Sequence, residues 1–143
     1  LALDLSFNER GSDSLIPALE AALVANPHLT NVTIALEGSN ISDVGAAQLG
    51  EALHTHVGDT ATFLSINVRR NDPGTQPTHT PLTAIGAGKM ATSIGRMSHL
   101  SSLDLKFGYC TSMTAAGVVS VATGLWPLQP ALHSLQLDFG YVA

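Results

Sequence analysis

The sequence predicts an α/β fold in which short parallel strands alternate with helices in a repeating array. Three observations lead to this prediction. A strand-like hexapeptide recurs along the chain, as LDLSFN from Leu3, LDLKFG from Leu103 and LQLDFG from Leu135. A helical pattern that contains small residues recurs between the strand-like runs. Successive runs begin about 29 to 39 residues apart, a spacing typical of repeat architectures.

Five strand-like runs share an alternation of apolar and mostly polar residues with period two, which is typical of half-buried strands. The runs are Leu3–Phe7, Val32–Leu36, Leu64–Val68, Leu103–Phe107 and Leu135–Phe139. In the last four, an apolar residue also stands three positions before the run, which extends the pattern to LxxLxLx(F/L/V). The alternate apolar residues are predicted to form one buried ladder. The ladder consists of Leu3, Leu5, Val32, Ile34, Leu64, Ile66, Leu103, Leu105, Leu135 and Leu137.

Four helical segments lie between the runs, each with anchors at positions i, i+4 and i+8 and a small residue at i+7. This spacing predicts one apolar face that lies close to a neighbour. The predicted buried anchors are Leu19, Leu23, Leu49, Leu53, Met90, Ile94, Val121 and Leu125. Hydroxyl or acidic residues ahead of Pro17, Gly45 and Gly117 indicate helix starts, and Pro27 and Pro127 indicate helix ends. Because the connection between parallel neighbouring strands is almost always right-handed, the units are predicted to stack into a curved array.

These patterns carry a family resemblance. The strand pattern followed by a G-A-x-x-L-x-x-A-L helix resembles the ribonuclease-inhibitor type of leucine-rich repeat, and the best match is ISDVGAAQLGEAL at 41–53. The resemblance covers residues 1–143 as a single array of about four repeats plus a final strand. It implies a right-handed solenoid with parallel strands on the concave face and helices on the convex face. The Asn that follows each strand in the family is matched only by Asn8, Asn40 and Asn71, and the third repeat carries an insertion.

Composition bears on the kind of partner and on the setting of the chain. The net charge is -5, and the six Lys and Arg are scattered apart from the pair Arg69 and Arg70, so nucleic acid is not an expected partner. No run of about 18 apolar residues predicts a membrane span. A single cysteine, Cys110, excludes an intrachain disulfide, and a reduced, cytoplasmic setting is expected. Two glycosylation-type triplets, at Asn31 and Asn40, stand against that setting.

The ends of the sequence lie inside the repeat pattern. Leu1 belongs to a strand-like run, and the chain stops shortly after another run. The array is therefore expected to be truncated at both ends, with neighbouring repeats or domains of a longer chain beside it.

No cofactor, metal or catalytic site is predicted. The segment Gly86–Lys89 is similar to part of a phosphate-binding loop, but it maps onto a repeat helix and Met90 replaces the hydroxyl residue. His54, His56 and Asp59 lie in a helix-to-strand connection without a partner cluster for a metal. Ser, His and Asp residues are not ordered into a triad. We therefore expect a protein that is not an enzyme.

Every second side chain of each strand is expected on the concave face, where solenoids bind their partners. Phe63, Arg69 and Arg70 are the predicted anchors because binding hot spots favour aromatic and Arg side chains. An alternative prediction for Phe63 is that its side chain packs under the preceding turn and is not available to a partner. The hexapeptide alignment places Asp4 beside Thr33. The predicted partner-binding residues are Asp4, Ser6, Thr33, Glu37, Phe63, Ser65, Asn67, Arg69, Arg70, Asp104, Lys106, Gln136 and Asp138.

The insertion of the third repeat is predicted to be a surface loop. The segment 69–82 reads RRNDPGTQPTHTPL, with three Pro, one Gly and no apolar periodicity. Its position after a strand places Arg69, Arg70, Asp72 and His79 beside the rim of the concave face. The loop is either a second recognition element or an insertion without a role.

The predicted function is a protein–protein interaction module that binds another protein through the concave strand face and the 69–82 loop. The resemblance implies a role as an inhibitor, a sensor arm or a scaffold. One alternative is a GTPase-activating or other enzyme-regulating repeat protein, in which a rim Arg or Asn assists the partner's catalysis. Another alternative is a structural spacer that contacts only its own neighbouring repeats.

Overall fold

A computed structural model describes residues 1–8, 12–70 and 81–142. Within them the strands are β1 (Ala2–Asp4), β2 (Asn31–Ala35), β3 (Phe63–Asn67), β4 (Ser102–Lys106) and β5 (Ser134–Asp138). The helices are α1 (Ile16–Val24), α2 (Asp43–Val57), α3 (Ala84–Ile94) and α4 (Thr114–Leu125). Short 3-10 turns at Ser12–Leu15, Thr111–Met113 and Trp126–Leu128 adjoin α1 and α4.

The five strands form one sheet in which every pair of neighbours is parallel and the spatial order follows the chain order. Val32, Leu64, Leu103 and Leu135 are successive partners across β2 to β5. The register of these four strands matches the sequence alignment residue by residue. The predicted all-parallel strand arrangement is therefore confirmed.

All four helices lie on the same face of this sheet. Successive helices pack against one another, α1 on α2, α2 on α3 and α3 on α4, which requires them to share one side. Burial alternates along β2 and β4 between core and surface positions. The fold has two layers, and the residues that the structure describes place no helix on the opposite face.

One apolar core lies between the two layers and contains side chains from both. All eight predicted helix anchors are at most 6% exposed, and Leu53 and Met90 are fully buried. Burying each large side chain of this kind contributes roughly 1.5–3 kcal/mol before conformational entropy is subtracted. The i, i+4, i+8 spacing thus identified the inner helix face.

The first strand pairs in a register that differs from the sequence alignment. Matching LDLSFN to LDLKFG places Leu3 beside Val32, whereas Leu3 is paired with Ile34 in the structure. The predicted register is wrong because an alternation of period two is unchanged by a shift of two residues, so LALDL satisfies the pattern as well as LDLSF does. The first unit therefore begins two residues earlier than the hexapeptide suggests.

This shift changes the strand neighbours of Asp4 and Phe7. Asp4 lies beside Ala35, not beside Thr33 as the alignment predicts. The amide N–H of Phe7 donates to the carbonyl oxygen of Glu37, so the ladder continues in the same shifted register. Phe7, which the alignment matches to the buried Phe107, is 63% exposed.

The predicted ladder is fully buried only in the interior of the sheet. Leu103 in β4 is 1% exposed, whereas Leu135 in β5 is 50% exposed. Leu3, Leu5 and Leu137 are partly buried. The physical reason is that β1 and β5 each have a single strand neighbour within the described residues.

Small polar side chains follow the strands and bind the carbonyl groups of the preceding unit. Ser39 Oγ donates to the Leu5 carbonyl oxygen at 2.7 Å, and Cys110 Sγ donates to the Val68 carbonyl oxygen at 3.1 Å. Both residues are fully buried. Ser39, and not the predicted Asn40, therefore occupies the position after the second strand. Asn71 lies outside the described residues.

Two helix starts are joined to the helix before them by an acidic side chain. Ser42 caps α2 and binds the carboxylate of Asp13 through its hydroxyl and its backbone N–H. Thr83 caps α3 and binds the carboxylate of Asp43, with its N–H and its hydroxyl each 2.7 Å from a carboxylate oxygen. These contacts satisfy helix N–H groups that have no partner inside the helix. They also fix each helix start relative to the preceding unit.

Candidate binding surface

The face of the sheet without helices presents rows of side chains that run across the strands. The first row is Ala2, Thr33, Ser65, Asp104 and Gln136. The second row is Asp4, Ala35, Asn67, Lys106 and Asp138. Backbone hydrogen bonds continue the ladder past the strands and define a third row, which is Ser6, Glu37, Arg69, Gly108 and Gly140.

The first and second rows are joined by an ion pair centred on Asp104. Its Oδ2 accepts from Ser65 Oγ at 3.1 Å and lies 3.1 Å from Lys106 Nζ. Its other oxygen, Oδ1, is buried and has no hydrogen-bond partner among the described residues. The carboxylate is therefore held through one oxygen, with a cation on the adjacent row.

A second group of contacts is centred on Glu37. Its Oε2 accepts from Asn67 Nδ2 at 3.3 Å, and its Oε1 lies 3.4 Å from Arg70 Nε. The side chain of Glu37 is 21% exposed and that of Arg70 is 56% exposed. This group connects the ends of β2 and β3.

A third pair spans three strands. Arg69 Nε lies 3.6 Å from Asp138 Oδ2, and the strand between them contributes Gly108 at that level. A Cβ placed on Gly108 would lie only 2.9 Å from Arg69 Nε. The absence of a side chain at position 108 therefore leaves the space in which Arg69 reaches Asp138.

Three second-row side chains fold the chain where their strands end. The side-chain oxygens of Asp4, Asn67 and Asp138 each accept from the backbone N–H two residues later, at 2.8 to 3.1 Å. Asx turns of this kind redirect the backbone at a strand end. The hydrogen bond from the Ser6 N–H holds the pKa of the Asp4 carboxyl below its ordinary value, because it stabilises the charged form.

The residue after the third row has left-handed backbone geometry in every unit. This exit row consists of Phe7, Gly38, Arg70, Tyr109 and Tyr141, with φ between 56° and 64°. Only one of the five is glycine, although bulky residues rarely adopt positive φ. Each such residue costs on the order of 1–3 kcal/mol and persists where its surroundings determine the backbone.

The side chains around the exit row form a stack that we call the exit cluster, defined as Arg69, Arg70, Tyr109 and Tyr141. The rings of Tyr109 and Tyr141 are stacked, with centroids 4.6 Å apart and planes inclined by 17°. The Cζ atoms of Arg69 and Arg70 each lie 5.5 Å from the centroid of the Tyr109 ring. Beneath them, Phe107 and Phe139 stack at 5.5 Å. Tyr141 is 74% exposed, so the outer end of the stack is open.

The structure brings most of the predicted binding residues into these contacts but leaves others apart. Thr33 and Gln136 are exposed in the first row. Phe63 is half-buried at the opposite, entry end of β3, away from the exit cluster. Asp72 and His79 of the predicted 69–82 loop lie outside the described residues, and only positions 69, 70, 81 and 82 of that loop are described. Leu82 is fully buried and belongs to the core.

Sequence reasoning missed Tyr109 and Tyr141. The available signal was the tripeptide Phe-Gly-Tyr, which occurs at 107–109 and again at 139–141. The strand pattern LxxLxLx(F/L/V) accounts for the Phe of each copy, but not for the Tyr. A repeated aromatic residue beyond the end of a strand, outside the core pattern, indicates a position on the surface at the strand exit.

The residues that the structure describes contain no group of three metal-ligating side chains. No helix among them is long and apolar enough to cross a membrane. The chain matches no protein-family model, no curated protein and no solved structure. The clearest functional geometry is therefore the paired charges of the uncovered face and the stacked exit cluster.

Proposed function

We propose that this chain is a protein-binding module of the leucine-rich-repeat type and not an enzyme. In this proposal the parallel strands line the concave face of a right-handed solenoid and the helices form its convex face. Support comes from the common register of β2 to β5 and from the packing of each helix on the next. The single cysteine is buried and not disulfide-bonded, in keeping with a cytoplasmic setting.

The exit cluster is the observation that carries the proposed binding role. Tyr and Arg are enriched among the residues that dominate binding energy. Here two of each are stacked at one edge of the uncovered face, and Arg70 and Tyr141 are more than half exposed. Their stacking orders the side chains before a partner arrives, which lowers the entropic cost of binding.

The charges beside the cluster indicate the chemistry of the partner. Arg69 and Arg70 are paired with Asp138 and Glu37 at 3.6 and 3.4 Å, which is longer than a close ion pair. A partner carboxylate can therefore join Arg70 without first breaking a short bond. The proposed partner presents an acidic group to Arg70 and a flat apolar or cationic side chain to the open face of Tyr141.

The experiment that tests this role maps the bound surface directly. A photoreactive phenylalanine analogue replaces Tyr141 in one variant and Ile85 in another, since Ile85 is 63% exposed on α3. Crosslinked proteins are then identified from cells that express each variant. A partner captured from position 141 and not from position 85, and lost when Tyr109→Ala or Arg70→Ala is added, supports the proposal. Equal capture from both positions contradicts it.

A second function is favoured by the exposure of Arg70 at this edge. An exposed Arg can enter a partner's active site and stabilise charge there, as in GTPase activation. Once a partner is known, Arg70→Ala is compared in a binding assay and in an assay of the partner's own reaction. Loss of the reaction with binding intact supports the enzyme-regulating role, and parallel loss supports recognition alone. If no substitution on the uncovered face alters the set of proteins that the chain binds, the result supports the structural-spacer alternative.

A further inference from the structure

Positive and negative side chains are balanced on the uncovered face and in the exit cluster. Within the described part of the chain, every Lys or Arg at these places lies at most 3.6 Å from a carboxylate oxygen. Sites for phosphate groups instead concentrate Arg, Lys and backbone N–H donors. This surface therefore has no excess of positive charge for a doubly charged anion. The pairs are Arg69 with Asp138, Arg70 with Glu37, and Lys106 with Asp104.

The carboxylate beside Arg70 is fixed in place. Its Oε1, in Glu37, lies 3.4 Å from Arg70 Nε, while its Oε2 accepts a hydrogen bond from Asn67 Nδ2 at 3.3 Å. Asn67 is fixed in turn, because its Oδ1 accepts from the Arg69 N–H at 3.1 Å. The side chain of Glu37 is 21% exposed, whereas that of Arg70 is 56% exposed. An anion that approaches Arg70 therefore meets a carboxylate that cannot turn away without losing a hydrogen bond.

The carboxylate beside Arg69 is held in the same way. Asp138 Oδ2 lies 3.6 Å from Arg69 Nε, and Asp138 Oδ1 accepts from the Gly140 N–H at 2.8 Å. In both pairs, one carboxylate oxygen faces the cation and the other accepts a hydrogen bond. Both carboxylates are therefore expected to stay beside their Arg when a partner binds.

We infer that Glu37 and Asp138 make the exit cluster selective for the single charge of a carboxylate over the double charge of a phosphate group. This inference rests on the proposed binding role. The attraction of an Arg for an anion grows with the anion's charge, but the repulsion by a fixed carboxylate grows equally, so the two largely cancel. The cost of removing water from the anion is larger for the dianion and is not cancelled. A carboxylate also matches the planar guanidinium in a bidentate contact.

This selectivity defines the class of partner more closely. The segment that binds Arg70 carries an Asp, a Glu or a terminal carboxylate. Phosphorylation of that segment at the contact is expected to weaken binding, because the phosphate group carries about −1.5 to −2 charges at neutral pH.

NMR titration with two short peptides tests the selectivity. The probes are acetyl-Trp-Glu-amide and acetyl-Trp-phosphoserine-amide, which share the aromatic ring and differ in the anion. Binding is followed at the ring signals of Tyr109 and Tyr141 and at the Arg70 Nε–Hε signal, at neutral pH and low salt, where exposed charges are least screened. The unchanged chain is expected to bind the Glu peptide more tightly than the phosphoserine peptide.

Two isosteric variants remove the charges that the inference invokes. Glu37→Gln keeps the shape of the side chain, and Asp138→Asn keeps an oxygen acceptor for the Gly140 N–H. Each is expected to tighten binding of the phosphoserine peptide more than that of the Glu peptide, with a shift of about threefold in the ratio of dissociation constants, the effect of one unit charge at this range in water. Asp104→Asn is the matched control. It changes the net charge equally, but Asp104 pairs with Lys106 away from the exit cluster, so the ratio should stay nearly constant.

Three results would overturn the inference while leaving the binding role intact, since each requires the peptides to bind. The folded unchanged chain could prefer the phosphoserine peptide, or Glu37→Gln and Asp138→Asn could leave the ratio unshifted. An equal shift in Asp104→Asn would assign the effect to net charge alone. If neither peptide binds to the unchanged chain or to any variant that circular dichroism shows to be folded, the binding role itself fails, and this inference fails with it.

Discussion

Arg69 reaches across the β4 level to Asp138, with 3.6 Å between Nε and Oδ2, because Gly108 has no side chain in the space between them. The same Arg lies 5.5 Å from the centre of the Tyr109 ring. A single glycine therefore permits both an ion pair across three strands and part of the exit cluster.

The first prediction concerns this glycine. Gly108→Ala places a methyl group 2.9 Å from Arg69 Nε and is expected to displace the guanidinium from Asp138. Because the pair is partly exposed, the free energy of unfolding should change by less than about 1 kcal/mol, while binding of a partner to the exit cluster should weaken. The Arg69 Nε–Hε signal in NMR spectra measures the displacement. Gly140→Ala in the same row is the control, and an unmoved Arg69 signal in Gly108→Ala would contradict this account.

A second prediction concerns the helix starts. Asp43→Ala removes the acceptor for the Thr83 N–H, the Thr83 hydroxyl and the Gly86 N–H. Leaving such donors without a partner costs about 1–3 kcal/mol, so urea unfolding should show a loss in that range. The matched control is Asp59→Ala, since Asp59 accepts one exposed hydrogen bond from Ser98 and should change stability by less than about 0.5 kcal/mol.

Gly86 gives an independent check of the same contact. A Cβ on Gly86 would lie 2.5 Å from Asp43 Cα. Gly86→Ala is therefore expected to destabilise the fold, even though alanine is the better helix former in most positions. A stabilising Gly86→Ala substitution would show that Asp43 does not pack against the start of α3.

Paired leucines provide the third prediction. Leu103 and Leu135 are partners in the ladder, but they are 1% and 50% exposed. Leu103→Ala should reduce the free energy of unfolding by about 2–5 kcal/mol, the usual cost of emptying a core site. Leu135→Ala should cost less than half as much, measured by urea unfolding at low protein concentration. Equal losses would mean that Leu135 is covered in solution.

The fourth prediction tests backbone strain at the exit row. Tyr109 has φ of 64°, where a Cβ is unfavourable. Tyr109→Gly and Tyr109→Ala both remove the ring, but only the alanine variant keeps a Cβ. The glycine variant should be the more stable of the two by about 1 kcal/mol, and both should lose partner binding. If the alanine variant were the more stable one, the left-handed geometry at position 109 would be wrong.

The fifth prediction concerns pH. The Ser6 N–H holds the pKa of Asp4 below its ordinary value, so the folded state binds this proton less readily than the unfolded state does. The resulting stability is fully present above the unfolded pKa and is lost as pH falls through the lower folded pKa. NMR titration of the Asp4 carboxyl carbon should give a lower midpoint in the folded chain than in the chain unfolded in urea. Equal midpoints in the two states would contradict the hydrogen bond.

Local patterns in the chain predicted most of the architecture. The apolar–polar alternation in LSINV and LDLKF shows which face of each strand is buried. In the same way, the helical spacing of Leu49 and Leu53, and of Met90 and Ile94, shows which face of each helix is buried. Both are properties of one segment, so they can be read without knowing its neighbours. The positions of β2 to β5, the helix anchors and the parallel order of those four strands followed from them.

The register of β1 and the exit cluster depended on contacts between distant segments. LALDL and LDLSF are equally good strands, and only pairing with β2 selects the first. Likewise, no local pattern predicts that Tyr109 and Tyr141 stack; their rings meet because the backbone pairing that continues beyond β4 and β5 places the two residues side by side. Arg69 meets Asp138 only because Gly108 lies between them in space. Alternation within a strand shows which side of the strand is buried, but not which neighbouring strand pairs with it or in which register. The neighbour and the register are selected by packing in three dimensions.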